Sequence, residues 1–160
     1  RKLNEAGITT FYVPCLKKTH IDGACFSLPS GKPAIAVSLR QHRLDNFWFT
    51  QLHECAHVEK HLLDEGLTID ETEGSTGAFG NDSGMENEAN TLALSALVPD
   101  DIRDKISRLV ENIFKAKMQF YARIADVHEA VIPGQVRMMN GQHTHFAGMV
   151  GQGEVAKGLG

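Results

Sequence analysis

The stretch His53-Glu54-Cys55-Ala56-His57 sets two imidazoles four residues apart, with a carboxylate directly after the first. Residues four apart on a helix share one face, so both rings can aim a nitrogen at a single point. Neutral imidazole is a good zinc ligand, with bonds of about 2.0–2.1 Å. Glu54, one step round the helix, is placed for a water on such an ion rather than for the ion. Zinc lowers the pKa of that water to roughly 7, and a carboxylate can take its proton during attack on a carbonyl. The five residues therefore offer two ligands and a general base. A catalytic zinc takes three protein ligands, so the pattern is incomplete by itself.

His61 is the nearest further histidine. Eight residues of helix separate it from His53, about 12 Å along the axis, which is too far for one ion bound to both rings and to His57 between them. No glycine ends the helix ahead of it, as in zinc proteases whose third histidine follows such a break. It reads as a surface or rim histidine. A carboxylate for the third position is available in "MENEANTLALSALVP". Glu86 stands one turn before Asn90, with Glu88 between them. Either carboxylate can complete a His-His-Glu set, and either equally suits the solvated first turn of a helix, where the dipole favours negative charge. Asn90 is placed to hydrogen-bond a ligand and fix its orientation.

These groups need elements to hold them. "TTFYVPCL" (9–16), "GACFSL" (23–28) and "PAIAVSL" (33–39) read as strands, and "LPSGKP" reads as a turn that makes the last two a hairpin. From Asp45, apolar residues recur at helical spacing through Leu44, Trp48, Leu52, Cys55 and Leu62, which predicts a helix to about Leu63. The acidic, Gly/Ser-rich run from Asp64 to Gly84 predicts a loop bordering the cleft and mobile without substrate. A second helix is expected over Met85 to Leu97, capped by Ser83 and stopped by Pro99. "PDDIRDKISRLV", "NIFKAKMQFYARIA" and "HEAVIPGQVRMM" are helix-like, with Pro133 awkward in the last, and "THFAGMVGQGEV" suits a final strand.

A chain of 160 residues fits a single domain spanning 1–160, long enough for a hydrophobic core without disulfides. The net charge of −4 provides no global basic surface, which argues against direct nucleic-acid binding. Cys15, Cys25 and Cys55 form an odd, scattered set that suits reduced thiols in the cytoplasm. Cys55 reads as a small buried hydrophobe. No apolar run reaches membrane-spanning length, and no secretory signal opens the chain.

"DNFWFTQLHECAHVEKHL", "ENEANTLALSALVP", "KTHIDGACFSL" and "PAIAVSLR" together resemble the ImmA/IrrE-type metallopeptidase domain family. "VHEAVIPGQVRMMNG" and "FAGMVGQGEV" are similar to the C-terminal region of its subgroup fused to helix-turn-helix, antitoxin-like regulators. Gln135 and Pro133 depart from that region, where an arginine and a small helix-compatible residue are expected. The resemblance implies an α+β, zincin-like fold, with a small N-terminal antiparallel sheet packed on a helical bundle that carries the active-site helix. It implies Zn2+ held by His53, His57 and Glu86, with Glu54 as catalytic base. It also implies a protein substrate of the repressor or antitoxin type, and a DNA-binding domain ahead of Arg1 in a longer protein. Two functions follow: a zinc endopeptidase acting on such a regulator, or a non-catalytic zinc-binding sensor or interaction domain of one. Tyr121, His128, Arg137, His143 and His145 remain equal candidates for stabilising an oxyanion.

Overall fold

The computed structural model describes residues 2–14, 21–62, 70–71, 76–77, 83–142 and 144–158. In chain order these form α1 (Lys2–Glu5), β1 (Thr9–Val13), β2 (Gly23–Ser27), β3 (Pro33–Ser38), α2 (Leu44–His57), a π-helical turn (Val58–Leu62), β4 (Asp70–Glu71), β5 (Thr76–Gly77), α3 (Ser83–Leu97), α4 (Asp100–Ser107), α5 (Lys115–Ile124), α6 (Val131–Asn140), a 3-10 turn (Ala147–Met149) and α7 (Val155–Gly158). The architecture is α+β, as expected. Two compact units share the chain: residues 1–41 with 50–93, and residues 42–49 with 94–160.

The first unit is built on a three-stranded sheet in the order β1-β3-β2. β2 and β3 form the expected hairpin, with Cys25 opposite Ile35. Gly31 closes its turn at φ +76°, a left-handed backbone that a side chain rarely adopts. β1 lies parallel on the other edge of β3, with Phe11 beside Ala36. The sheet is therefore mixed rather than wholly antiparallel. A hairpin fixes only its own two strands, and strand alternation says nothing about which edge a third will take. Cys25 and Ile35 pack with Val58 and Leu62 into the core of this unit, and Leu3, Ile8 and Cys55 close its sides. The hydrophobic side of the sheet is thus covered by the end of α2 and the π turn.

α2 begins one residue before Asp45, and its buried face is not the one its apolar spacing marks. Phe47 is 7% exposed while its neighbour Trp48 is 39% exposed. Thr50, Gln51, His53, Glu54 and His57 are all buried. A helix that carries chemistry inward buries polar groups, so hydrophobic periodicity misjudges its phase. The π turn after His57 was not foreseen, because no propensity or motif encodes it. Of the acidic segment from Asp64 to Gly84, β4 and β5 pair antiparallel over two residues each. The expected mobility of that segment falls largely outside the described residues.

The second unit is helical. Ile102 and Ile106 of α4, Met118, Tyr121 and Ala122 of α5, and Ile132 and Val136 of α6 fill its core. Pro133 is the third residue of α6. In a first turn the amide that proline lacks has no intrahelical partner, so the ring is tolerated there. Buried Gln135 donates from Nε2 to the Leu94 carbonyl at 3.4 Å. The expected last strand is instead a 3-10 turn and a short helix, with one isolated bridge between Arg43 and Gln152. Gly151 and Gly153 take φ of +67° and +76°, which an extended strand does not accommodate.

Candidate metal centre

The centre lies within the first unit. α2 contributes His53, Glu54 and His57, and α3 contributes Glu86. The α3 carboxylate stands on the helix's buried stripe, because Ala89 and Ala93, three and seven residues on, are both fully buried. His53 and His57 are buried on α2. Their Nε2 atoms are 2.9 Å apart. Glu86 Oε2 is 3.3 Å from His53 Nε2, and Glu86 Oε1 is 3.2 Å from His57 Nε2. The two imidazoles beside it hold the Glu86 carboxyl down at about 2, so it is a carboxylate at any working pH.

Three donor atoms facing one another in this way fit a metal ion. A tetrahedral ion with bonds of about 2.0–2.1 Å separates its ligand atoms by about 3.3–3.4 Å. The two Nε2 atoms are 2.9 Å apart and each lies 3.2–3.3 Å from its own Glu86 oxygen, spacings close to that separation. Among the described residues His53, His57 and Glu86 form the group whose donor atoms all lie within 4.8 Å of one another, so together they can hold a metal ion.

Glu54 is 1% exposed. Strand β2 approaches it at Gly23. A Cβ at Gly23 would stand 2.7 Å from Thr50 Cγ2 and 2.8 Å from Glu54 Cδ, closer than real Cβ atoms come. Position 23 must be glycine for the Glu54 carboxylate to keep its place. The sequence did carry a signal for this, since glycine at a strand position marks a close approach by something else. Cys55 is partly buried and packs against the core cluster of the unit. Burial pushes its thiol up to about 11, with the Glu54 charge adding to the effect, so it is a neutral packing group.

His61 is the main correction to the sequence reading. It is 6% exposed, not a rim residue. Its Nδ1 lies 3.0 Å from His57 Nδ1, and its Nε2 lies 3.2 Å from Glu88 Oε2. Glu88, left as an alternative ligand by the sequence, faces His61, while Glu86 faces the Nε2 atoms of both His53 and His57. Of the oxyanion candidates, Tyr121, His128, Arg137 and His145 belong to the second unit, and His143 lies outside the described residues. Tyr121 and Arg137 are buried, His128 sits 3.6 Å from Glu154, and His145 stacks on Phe146.

A small sheet packed on a helix that presents two histidines, with a carboxylate brought in by the next long helix, defines a metallopeptidase-like α+β domain of zincin type. The chain belongs to the IrrE N-terminal-like domain family, Peptidase_M78, whose model matches residues 3–123. The match takes in β1 to β3, α2, α3 and every residue of the centre. Comparison with curated proteins gives no match. Among the described residues no helix is long and apolar enough to cross a membrane.

Proposed function

We propose that the domain is a zinc-dependent endopeptidase that cleaves a DNA-binding regulator of the repressor or antitoxin type in the cytoplasm. The observation that carries this reading is the convergence of His53, His57 and Glu86 on one point, with buried Glu54 next to His53. Two nitrogens and one carboxylate oxygen form a ligand set typical of catalytic zinc. When bound, zinc supplies Lewis acidity toward a carbonyl and toward water. Glu54 takes the proton of the attacking water on its carboxylate and returns it to the leaving amine. Gly23 leaves room for that carboxylate, and the closeness of β2 shields it from bulk water. A site held only for structure has no use for a base beside its ligands, which favours the catalytic reading over a zinc-binding sensor.

Co-expression of the protein with the regulator encoded beside it tests the proposal, with fragments identified by mass spectrometry. Wild type should yield one discrete cleavage, and Glu54→Gln none while it keeps its zinc. Zinc binding without cleavage of any neighbouring regulator would favour the sensor.

A further inference from the structure

In an unbroken α-helix each four-residue step carries a side chain about 40° round the axis, so His61 would stand about 80° off the line of His53. The chain avoids this. Directly after His57 the helix widens into the π turn Val58–Leu62. A wider turn rotates each residue through a smaller angle, which returns His61 toward the line of His53 and His57. The result is a contact between like atoms of two imidazoles, Nδ1 to Nδ1 at 3.0 Å, with ring centroids 5.1 Å apart. Beyond it, His61 Nε2 meets Glu88 Oε2 at 3.2 Å. The Glu88 side chain is 53% exposed, so the row runs from the buried centre to the surface.

The proton positions follow from the partners. His57 turns Nε2 toward His53 and Glu86, where a metal needs a lone pair. Its Nδ1 therefore carries the hydrogen and donates it to His61 Nδ1. That nitrogen accepts, so His61 carries its own hydrogen on Nε2 and donates it to the Glu88 carboxylate. One tautomer of each ring satisfies both contacts, and the opposite choice would set the His57 Nε2 hydrogen against the metal. Metal-binding histidines usually donate their second nitrogen to a carboxylate or carbonyl, which fixes the ring and raises its basicity. Here an imidazole stands between the ligand and the carboxylate.

We propose that His61 and Glu88 are positioning residues for the metal ligand His57, acting as a relay that runs Glu88–His61–His57 and that the π turn exists to align. The relay rests on the metal centre proposed above and extends it outward. Zinc affinity measured against a chromophoric chelator tests it, with the visible spectrum of the cobalt-substituted protein as a second readout. His61→Phe, which fills the space without a polar atom, should lower zinc affinity about 10–100-fold at unchanged stoichiometry and shift the cobalt bands. His61→Gln, which keeps hydrogen-bonding capacity, should recover part of the loss. Glu88→Ala, at an exposed position that folding tolerates, should weaken zinc several-fold in the wild-type background and not at all with His61→Phe.

That last term separates a relay from a general charge effect. If Glu88→Ala costs the same factor in both backgrounds, the two residues do not act in series and the relay is wrong. If neither His61 variant alters affinity or the cobalt spectrum, while Glu86→Ala abolishes binding, the relay fails and the metal centre stands. If Glu86→Ala binds zinc as wild type does, the centre itself is misplaced and the relay falls with it. Should His61→Phe fail to fold, His61→Leu, which also lacks a polar atom, replaces it in both comparisons, and unchanged zinc affinity in both His61→Gln and Glu88→Ala overturns the relay.

Discussion

At the scale of single residues, the proposed function gives the centre groups that would bind and one, Glu54, that would move a proton. Glu54→Gln is nearly isosteric and removes only the base. It should keep full zinc content and lose about 10²–10⁴-fold in cleavage of the true substrate, the usual contribution of a positioned general base. Equal cleavage by wild type and variant would remove Glu54 from the chemistry. Gly23→Ala probes the same carboxylate from the opposite side. Its methyl would meet Thr50 and Glu54 at under 3 Å, so the Glu54 side chain must shift. Displacement of a catalytic group by about 1 Å costs on the order of 100-fold, and overpacking costs about 1–3 kcal/mol of stability. Zinc content should stay at wild-type level. Loss of zinc in Gly23→Ala would show that β2 supports the ligands rather than the base. That His53, His57 and Glu86 come together was legible in the sequence, because helical spacing and ligand chemistry constrain them together. His61 was misread because its placement depends on a π turn. Reasoning from a straight helix set it apart from the His53–His57 pair and sent it to the surface, whereas it is buried against His57.

At the scale of elements, β2, β3 and their turn could be read from local signals, and so could the start of α2 and the extent of α3, whereas the helix expected to reach about Leu63 gives way to the π turn after His57. The pairing of β1 could not, since a parallel neighbour is chosen by tertiary packing. Nor could the buried face of α2, where Phe47 rather than Trp48 turns inward and six polar side chains, Asp45 among them, are buried with it. β3 is the central strand and Ile35 one of its fully buried members, packed with Val58 and Leu62 of the π turn. Ile35→Ala should lower stability by about 2–5 kcal/mol, as cavities of this kind do. A denaturant titration would show it as an earlier midpoint at unchanged slope. A loss under about 1 kcal/mol would mean that the π turn is not held by this cluster.

At the scale of the whole molecule, the chain passes between its two units three times, just before α2, inside α2 and inside α3. His53, His57 and Glu86 all lie in the first unit, and the family match ends at residue 123, inside α5 of the second. The C-terminal segment beyond it was the least legible part: its glycines at positive φ replaced an expected strand by turns. Metal bound only by the folded state stabilises by mass action, about 2.7 kcal/mol at a free concentration 100 times Kd. Chelation should therefore lower the melting temperature. It should also release amide-exchange protection first at the C-terminal half of α2 and the N-terminal half of α3. Uniform loss across both units, or none, would contradict a centre confined to the first.

The claim on which the rest depends is that one zinc ion is held by His53, His57 and Glu86. Anomalous X-ray scattering from crystals of the purified protein, recorded on both sides of the zinc absorption edge, addresses it directly. The account predicts a single zinc peak per chain, about 2.0–2.2 Å from His53 Nε2, His57 Nε2 and a Glu86 carboxylate oxygen, with His61 and Glu88 outside bonding distance. A peak bonded to His61 or Glu88 in place of these atoms, or zinc-replete protein with no peak between α2 and α3, would contradict it.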